Sequence, residues 1–281
     1  MKLLQKSICL ILLLSFINFI QAHSSSDNFI DINGDKIHYE IKGRKGPWII
    51  LVHGVGSDER AFNSIFEPVS EYARVVRYTR SGLGESSYKA KSKSLDSIVD
   101  ELASLINKLD IKEPMILAGH SYGGLIIRSY ISRYQPNVKG LMFLDTTFED
   151  YFPILEPLLP NARVIERNDY ESNYTTKTSQ AKKDEIESMF KVWNSPERWS
   201  DWFKPLPPVV TTVITSLKII DAPIRGTKEI MQARYVVQSK LLKHATIATH
   251  IGLKGAGHYV QRDDPEIVIE AFKTLIKLSE K

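Results

Sequence analysis

Ser121, at the centre of Gly119-His120-Ser121-Tyr122-Gly123, is the side chain whose setting best suits covalent chemistry. A serine hydroxyl is a weak nucleophile at neutral pH. It needs a base within hydrogen-bond reach, and the base needs a carboxylate to orient it. The apolar run Met115-Ile116-Leu117-Ala118 precedes the pentad and Leu125-Ile126-Ile127-Arg128-Ser129-Tyr130-Ile131 follows it, so a buried strand is expected to turn sharply into a helix at Ser121. On such a turn a G-x-S-x-G serine is held clear of the sheet in a strained backbone, and the flanking glycines present no Cβ to neighbouring chain.

Three other candidates share that placement at a strand end. His53-Gly54-Val55-Gly56 follows the continuous apolar run Trp48 to Val52, Asp145 closes Val138 to Leu144, and His258 follows a strand expected over Thr246 to Leu253. A continuous apolar run reads as a strand covered on both faces. Parallel strands joined by helices bring their carboxyl ends to one edge of the sheet, where ligands bind. The order along the chain is Ser, Asp, His.

The remaining elements must build that edge. Asn33-Gly34 between Phe29–Ile32 and Lys36–Ile41 marks a tight hairpin, because both turn positions need positive φ. A strand is expected over Ala73 to Tyr78, entering the glycine-rich turn Arg80 to Ser86. Leu95, Ile98, Val99, Leu102, Leu105, Ile106 and Leu109 recur at helical spacing behind Ser94 as N-cap. Val209 to Thr215 reads as a β-branched strand, and Lys228 to Leu242 as a basic amphipathic helix. Asp264 and Pro265 stand at the N-cap and first position of a last helix. Residues 148–206 break the strand-helix rhythm and read as a mainly helical insertion over the carboxyl edge. Three of the four tryptophans lie there, and they fit either an aromatic site lining or the insertion's own core.

GHSYGG, HGVG, RSGLGES and GAGHY together resemble the motif set of the α/β-hydrolase superfamily, from residue 29 onward apart from the insertion. GHSYGG with LDTTFED and GHYVQRDDPE is similar to a bacterial subgroup of serine hydrolases. The resemblance implies an α/β fold with a mostly parallel eight-stranded sheet, a core of residues 23–147 and 207–281, a cap over 148–206 after the sixth strand, and no cofactor or metal. It implies Ser121 as nucleophile and His258 as general base and then acid. The backbone N–H groups of Val55 and Tyr122 would form the oxyanion hole, supported by Gly54 and Gly56. His53 and His120 read as scaffold.

The acid is where the sequence departs from the superfamily pattern. No carboxylate follows the seventh strand at the usual spacing, and Asp221 comes two positions late. Asp145, at the end of the sixth strand, is favoured over Asp221, with Glu149 or Asp150 a remote third. Thr79 stands where relatives often carry Asp before the Arg-x-G-x-G turn, which bears on loop support alone.

Composition adds limits. The formal net charge is +4, and Lys2 and Lys6 supply two of those charges within a segment expected to be removed. That balance points to neither nucleic acid nor a membrane surface as partner. A basic start, the apolar run Ile8 to Phe16 and Ile20-Gln21-Ala22 read as a secretory signal over residues 1–22, which predicts a periplasmic or extracellular protein. The alternative is an anchor retained in the membrane. The single cysteine, Cys9, lies in that segment, so the mature chain is expected to carry no disulfide.

The function these readings favour is cleavage of a small or medium ester, with an apolar acyl group, through an acyl-enzyme. A peptidase, lipase or acyltransferase would use the same residues. A binding or scaffold protein that keeps the fold without turnover is the rival of another class. Serine at the pentad centre argues against epoxide hydrolases and haloalkane dehalogenases, which carry aspartate there. Oligomeric state is left open.

Overall fold

The computed structural model describes residues 28–89 and 93–280. The expected signal segment and Cys9 lie outside them. Among the described residues no helix is long and apolar enough to cross a membrane.

The strands are β1 (Phe29–Ile32), β2 (Asp35–Lys42), β3 (Trp48–Val52), β4 (Arg74–Tyr78), β5 (Met115–His120), β6 (Val138–Leu144), β7 (Val210–Ser216) and β8 (Ala248–Leu253). They form one eight-stranded sheet in the order β1-β2-β4-β3-β5-β6-β7-β8. β1 and β2 pair antiparallel, as do β2 and β4, and every later pair is parallel. The expected hairpin is present: Ile32 pairs with Asp35, with Asn33 at φ 53° and Gly34 at φ 87° in the left-handed region a two-residue turn requires.

Ten helices are described: α1 (Asn63–Ser70), α2 (Leu95–Lys108), α3 (Tyr122–Tyr134), α4 (Tyr151–Leu155), α5 (Ala162–Ser172), α6 (Gln180–Trp193), α7 (Trp199–Trp202), α8 (Lys228–Ser239), α9 (Val260–Asp263) and α10 (Pro265–Ser279). α2 starts at the expected cap: the Ser94 hydroxyl accepts from the Ser97 N–H and the Ser97 hydroxyl accepts from the Ser94 N–H, a reciprocal box. Asp264 does stand before Pro265, but its side chain accepts no capping bond. Asp263 instead accepts from the Gly257 N–H at 2.6 Å and so braces the loop that carries His258.

Strand side chains alternate between two cores, as the period of two requires. Ile50, Val52, Leu117, Leu141 and Phe143 face α2, α3 and the helices that follow β6. Ile49, Leu51, Ile116, Ala118, Met142 and Leu144 face α1 and α10. Helices therefore cover both faces of the central parallel strands. The doubly covered sheet leaves its carboxyl edge as the place where loops can meet.

α4 to α7 lie between β6 and β7, where the helical insertion is expected. Trp193 is buried and packs edge-on against Phe152 and Phe190, with ring centroids 4.7 and 5.4 Å away. Trp193, Trp199 and Trp202 belong to the insertion's own core, continuous with that of the sheet. Of the two readings of the tryptophans, the structure bears out the core.

Candidate active site

Ser121 lies between β5 and α3, at the N-cap of α3, with φ 53° and ψ −123°. A non-glycine residue there costs about 1–3 kcal/mol, and such strain persists only where the surroundings over-determine it. They do: a Cβ on Gly123 would strike the Val52 carbonyl, and one on Gly119 would lie 2.7 Å from the Gly123 carbonyl carbon. The Ser121 N–H donates to the Leu144 carbonyl at 3.1 Å. Thr146 then locks the turn by donating its hydroxyl to the Ser121 carbonyl at 3.0 Å.

Asp145 leaves β6 with φ 39°, and its carboxylate is fully buried. His258 Nδ1 lies 2.7 Å from Asp145 Oδ2. The favoured acid is thus brought to the histidine from 113 positions away. Asp221 sits exposed in the loop after β7. Glu149 and Asp150 are engaged elsewhere, paired with Arg128 and Lys240. The bond to Asp145 requires the proton on His258 Nδ1, which leaves Nε2 as the basic nitrogen.

Four further donors hold the carboxylate. The Ser216 N–H donates to Oδ1 at 3.1 Å, Gln238 Nε2 to Oδ1 at 3.2 Å, Arg234 Nη2 to both oxygens at 3.0 and 3.1 Å, and Arg225 Nη2 to Oδ2 at 3.2 Å. Burial alone would raise the Asp145 carboxyl, but Arg234, Arg225 and His258 hold it well below the usual carboxylate range. Arg225 Nη2 also lies 2.9 Å from His258 Nδ1. With Nδ1 protonated that contact is cation against donor, so the guanidinium repels an imidazolium. Burial, and then Arg225, lower the His258 pKa, while Asp145 raises it.

His120 is buried and donates from Nε2 to the His258 carbonyl at 2.9 Å, its ring 4.7 Å from that of His258. Burial, and then His258, drop its pKa to about 3, so it stays neutral. A neutral ring that fixes the His258 backbone matches the scaffold reading.

The HGVG loop faces Ser121 from the other side: a Cβ on Gly54 would come within 3.1 Å of the Ser121 Cβ. His53 accepts at Nε2 from the Arg80 N–H at 3.3 Å, and its Nδ1 is 2.9 Å from the Gly54 carbonyl. Arg80 donates to the carbonyls of His53 and Gly54 at 2.8 and 2.7 Å. Glu185, from α6 in the insertion, takes a bidentate pair from Arg80 and accepts the Gly56 N–H at 3.0 Å. Gly56 thereby spends its amide on the insertion. The amides of Val55 and Tyr122 donate to no described residue. At the odd position before Arg80, the Thr79 hydroxyl donates to Glu59, which supplies the carboxylate Thr79 lacks.

A cavity of about 230 Å³ opens at this edge, lined by Ser121 and His258 together with Tyr151, Glu166, Tyr170, Arg225 and Arg234. Sequence reasoning placed Arg80 in a loop-supporting turn without its partner, and missed Glu185, Glu166, Arg225 and Arg234. The Arg-x-G-x-G turn was the signal for Arg80.

A model of the Alpha/beta hydrolase family matches residues 49–271. The chain belongs to the α/β-hydrolase family. Among curated relatives, this α/β hydrolase is 30% identical over 144 residues to the cis-3-alkyl-4-alkyloxetan-2-one decarboxylase of Shewanella oneidensis, covering 50% of this chain and 44% of that protein. It is 29% identical over 136 residues to the (E)-2-((N-methylformamido)methylene)succinate hydrolase of Acinetobacter baylyi, covering 48% and 51%. The matches span about half the length of these relatives. Among solved structures, a thermophilic esterase from Thermogutta terrifontis superposes with a TM-score of 0.59 at 18% identity, over 90% of this chain and 98% of that one. At that identity the likeness speaks for the fold.

Proposed function

We propose that this α/β hydrolase cleaves carboxylic esters through a Ser121–His258–Asp145 triad. The observation that carries the reading is the 2.7 Å contact between His258 and Asp145 beside a strained serine, with serine and histidine lining one cavity. Ser121 Oγ attacks the ester carbonyl while His258 Nε2 takes its proton. The N–H groups of Val55 and Tyr122 receive the oxyanion, each contributing roughly 3 kcal/mol. His258 returns the proton to the departing alkoxide and the acyl-enzyme remains. A water deprotonated by His258 then attacks the acyl carbonyl, and the acid and free Ser121 are released.

The insertion serves as the cap, supported by Ile165, Glu166 and Tyr170 of α5 in the cavity wall. The amino-terminal pattern supports export with cleavage after Ala22.

A fluorophosphonate probe tests the reading. Covalent labelling is expected on the native protein and not on Ser121→Ala, and mass analysis of the labelled exported protein should show His23 as first residue. A label that persists in Ser121→Ala would remove serine chemistry, and an intact Met1 would remove the cleaved signal.

The arginine beside the base makes a second, pH-based test. Because Arg225 lowers the His258 pKa, its cation keeps the imidazole neutral, and so active, to lower pH. In Arg225→Met the acidic limb of kcat/KM for a p-nitrophenyl ester should move to higher pH, so the relative loss of rate is greatest on the acid side. A limb that stays in place would mean that Arg225 leaves the base untouched.

A further inference from the structure

Three buried polar atoms of cavity-lining residues are left over after the triad is accounted for, the Thr147 hydroxyl and one atom each of Glu166 and Arg234. Glu166 Oε2, on α5, has no hydrogen-bond partner among the described residues, and neither has Arg234 Nε, on α8. The rest of the Arg234 guanidinium is committed to Asp145 and the Tyr151 hydroxyl. The charges that act most on Glu166 are those of Arg234 and Arg225, yet Glu166 pairs with neither among the described residues. Glu166 and Arg234 thus both line the cavity, one with an acceptor and one with a donor to spare, and the two are not bonded to each other. A carboxylate that is buried without a partner is unfavourable, and a ligand group that supplies the missing bond recovers that loss.

We infer that Glu166 and Arg234 Nε form a polar subsite that selects esters carrying a neutral group able both to donate and to accept a hydrogen bond, a hydroxyl or an amide. The donor goes to Glu166 and the acceptor takes the Arg234 N–H. A neutral group fits because the negative charge of Glu166 is already offset by Arg234 and Arg225, so an ammonium or a carboxylate on the substrate would leave one charge unmatched. Burial raises the Glu166 carboxyl to about 7, which places the change from acid to carboxylate in the working range and lets either form bond a hydroxyl. The inference rests on the ester-hydrolase reading above and adds selectivity to it.

The test compares p-nitrophenyl 3-hydroxybutyrate with p-nitrophenyl 3-methoxybutyrate, and 2-hydroxyethyl butyrate with 2-methoxyethyl butyrate, so that the hydroxyl sits in the acyl or in the alkoxy part. In the native protein the hydroxyl ester is expected to exceed its methoxy partner in kcat/KM by about tenfold in at least one pair, the factor that roughly 1.4 kcal/mol represents. In Glu166→Leu the ratio within that pair should fall to near one, and in Glu166→Gln, which keeps an acceptor oxygen, it should stay clearly above one. Because the ratio is read within each variant, a general loss of rate cancels. Thermal unfolding of Glu166→Leu should show no drop, since the leucine removes a carboxylate without a partner. Turnover of all four esters with no preference in the native protein, or a preference that survives Glu166→Leu, would overturn the subsite and leave the ester-hydrolase reading standing. No turnover of any ester and no fluorophosphonate labelling would overturn both.

Discussion

Asp145→Asn should lower kcat for a p-nitrophenyl ester by about 10³- to 10⁴-fold, while Asp221→Asn leaves it within about twofold. The first figure follows from the role proposed for the carboxylate, which is to fix the proton on His258 Nδ1 and stabilise the imidazolium as it forms; an amide can present its N–H to the same nitrogen and turn the tautomer round. The second follows from the exposed position of Asp221 in its loop. Asp145 also neutralises Arg234, so the asparagine variant leaves a buried guanidinium short of charge, and its thermal unfolding must be recorded beside its kinetics. A folded Asp145→Asn protein with native turnover would sink the account of how the base is oriented.

The other large effect is on stability. Glu185→Leu should destabilise the protein by about 3–5 kcal/mol, because it strands Arg80 and Lys93, whose side chains are 0% and 3% exposed, in the interior. At the entropy of unfolding expected for a chain somewhat above 250 residues, that corresponds to a fall of about 10 °C in melting temperature. Burial would raise the Glu185 carboxyl, but Arg80 and Lys93 hold it far below its usual range. A carboxylate depressed in the folded state adds stability above its unfolded pKa of about 4.3, and the contribution fades as pH falls from there through the folded value. The melting temperatures of native and variant proteins should therefore draw together progressively as pH falls below about 4. Equal melting temperatures at pH 7 would show that the cluster contributes nothing. The variant should also lose kcat more than it raises KM, since the Gly56 amide and the Arg80 bonds to the HGVG carbonyls hold the loop proposed to receive the oxyanion rather than the substrate pocket.

What the sequence made legible was local. A strand, a G-x-S-x-G turn and a helix are contiguous, so the elbow at Ser121 could be read from a dozen residues. The Asn33-Gly34 hairpin and the Ser94 cap are likewise written within a few positions. Asp145 could be favoured over Asp221, with Glu149 or Asp150 third, because a strand end is a local feature, but its 2.7 Å contact with His258 is visible only in the fold. The networks around it are another matter. Arg80 meets Glu185 across 105 positions and Arg234 meets Asp145 across 89, and neither partner carries a periodic signal that announces the other. Glu166 lies within residues 148–206, which the sequence marks as a helical insertion without singling out any of its carboxylates. Charged residues usually face water, so sequence alone gives no reason to expect one aimed at a cavity.

Glu185 also bears on how a substrate gets in. It fastens α6 to the loops at the sheet's carboxyl edge through a buried ionic joint, and lifting α6 would expose two cations and bare the Gly56 amide. A substrate would then be expected to reach the cavity on the α5 side, where Ile165, Ile220 and Ile224 line it beside the turn Pro223–Arg225.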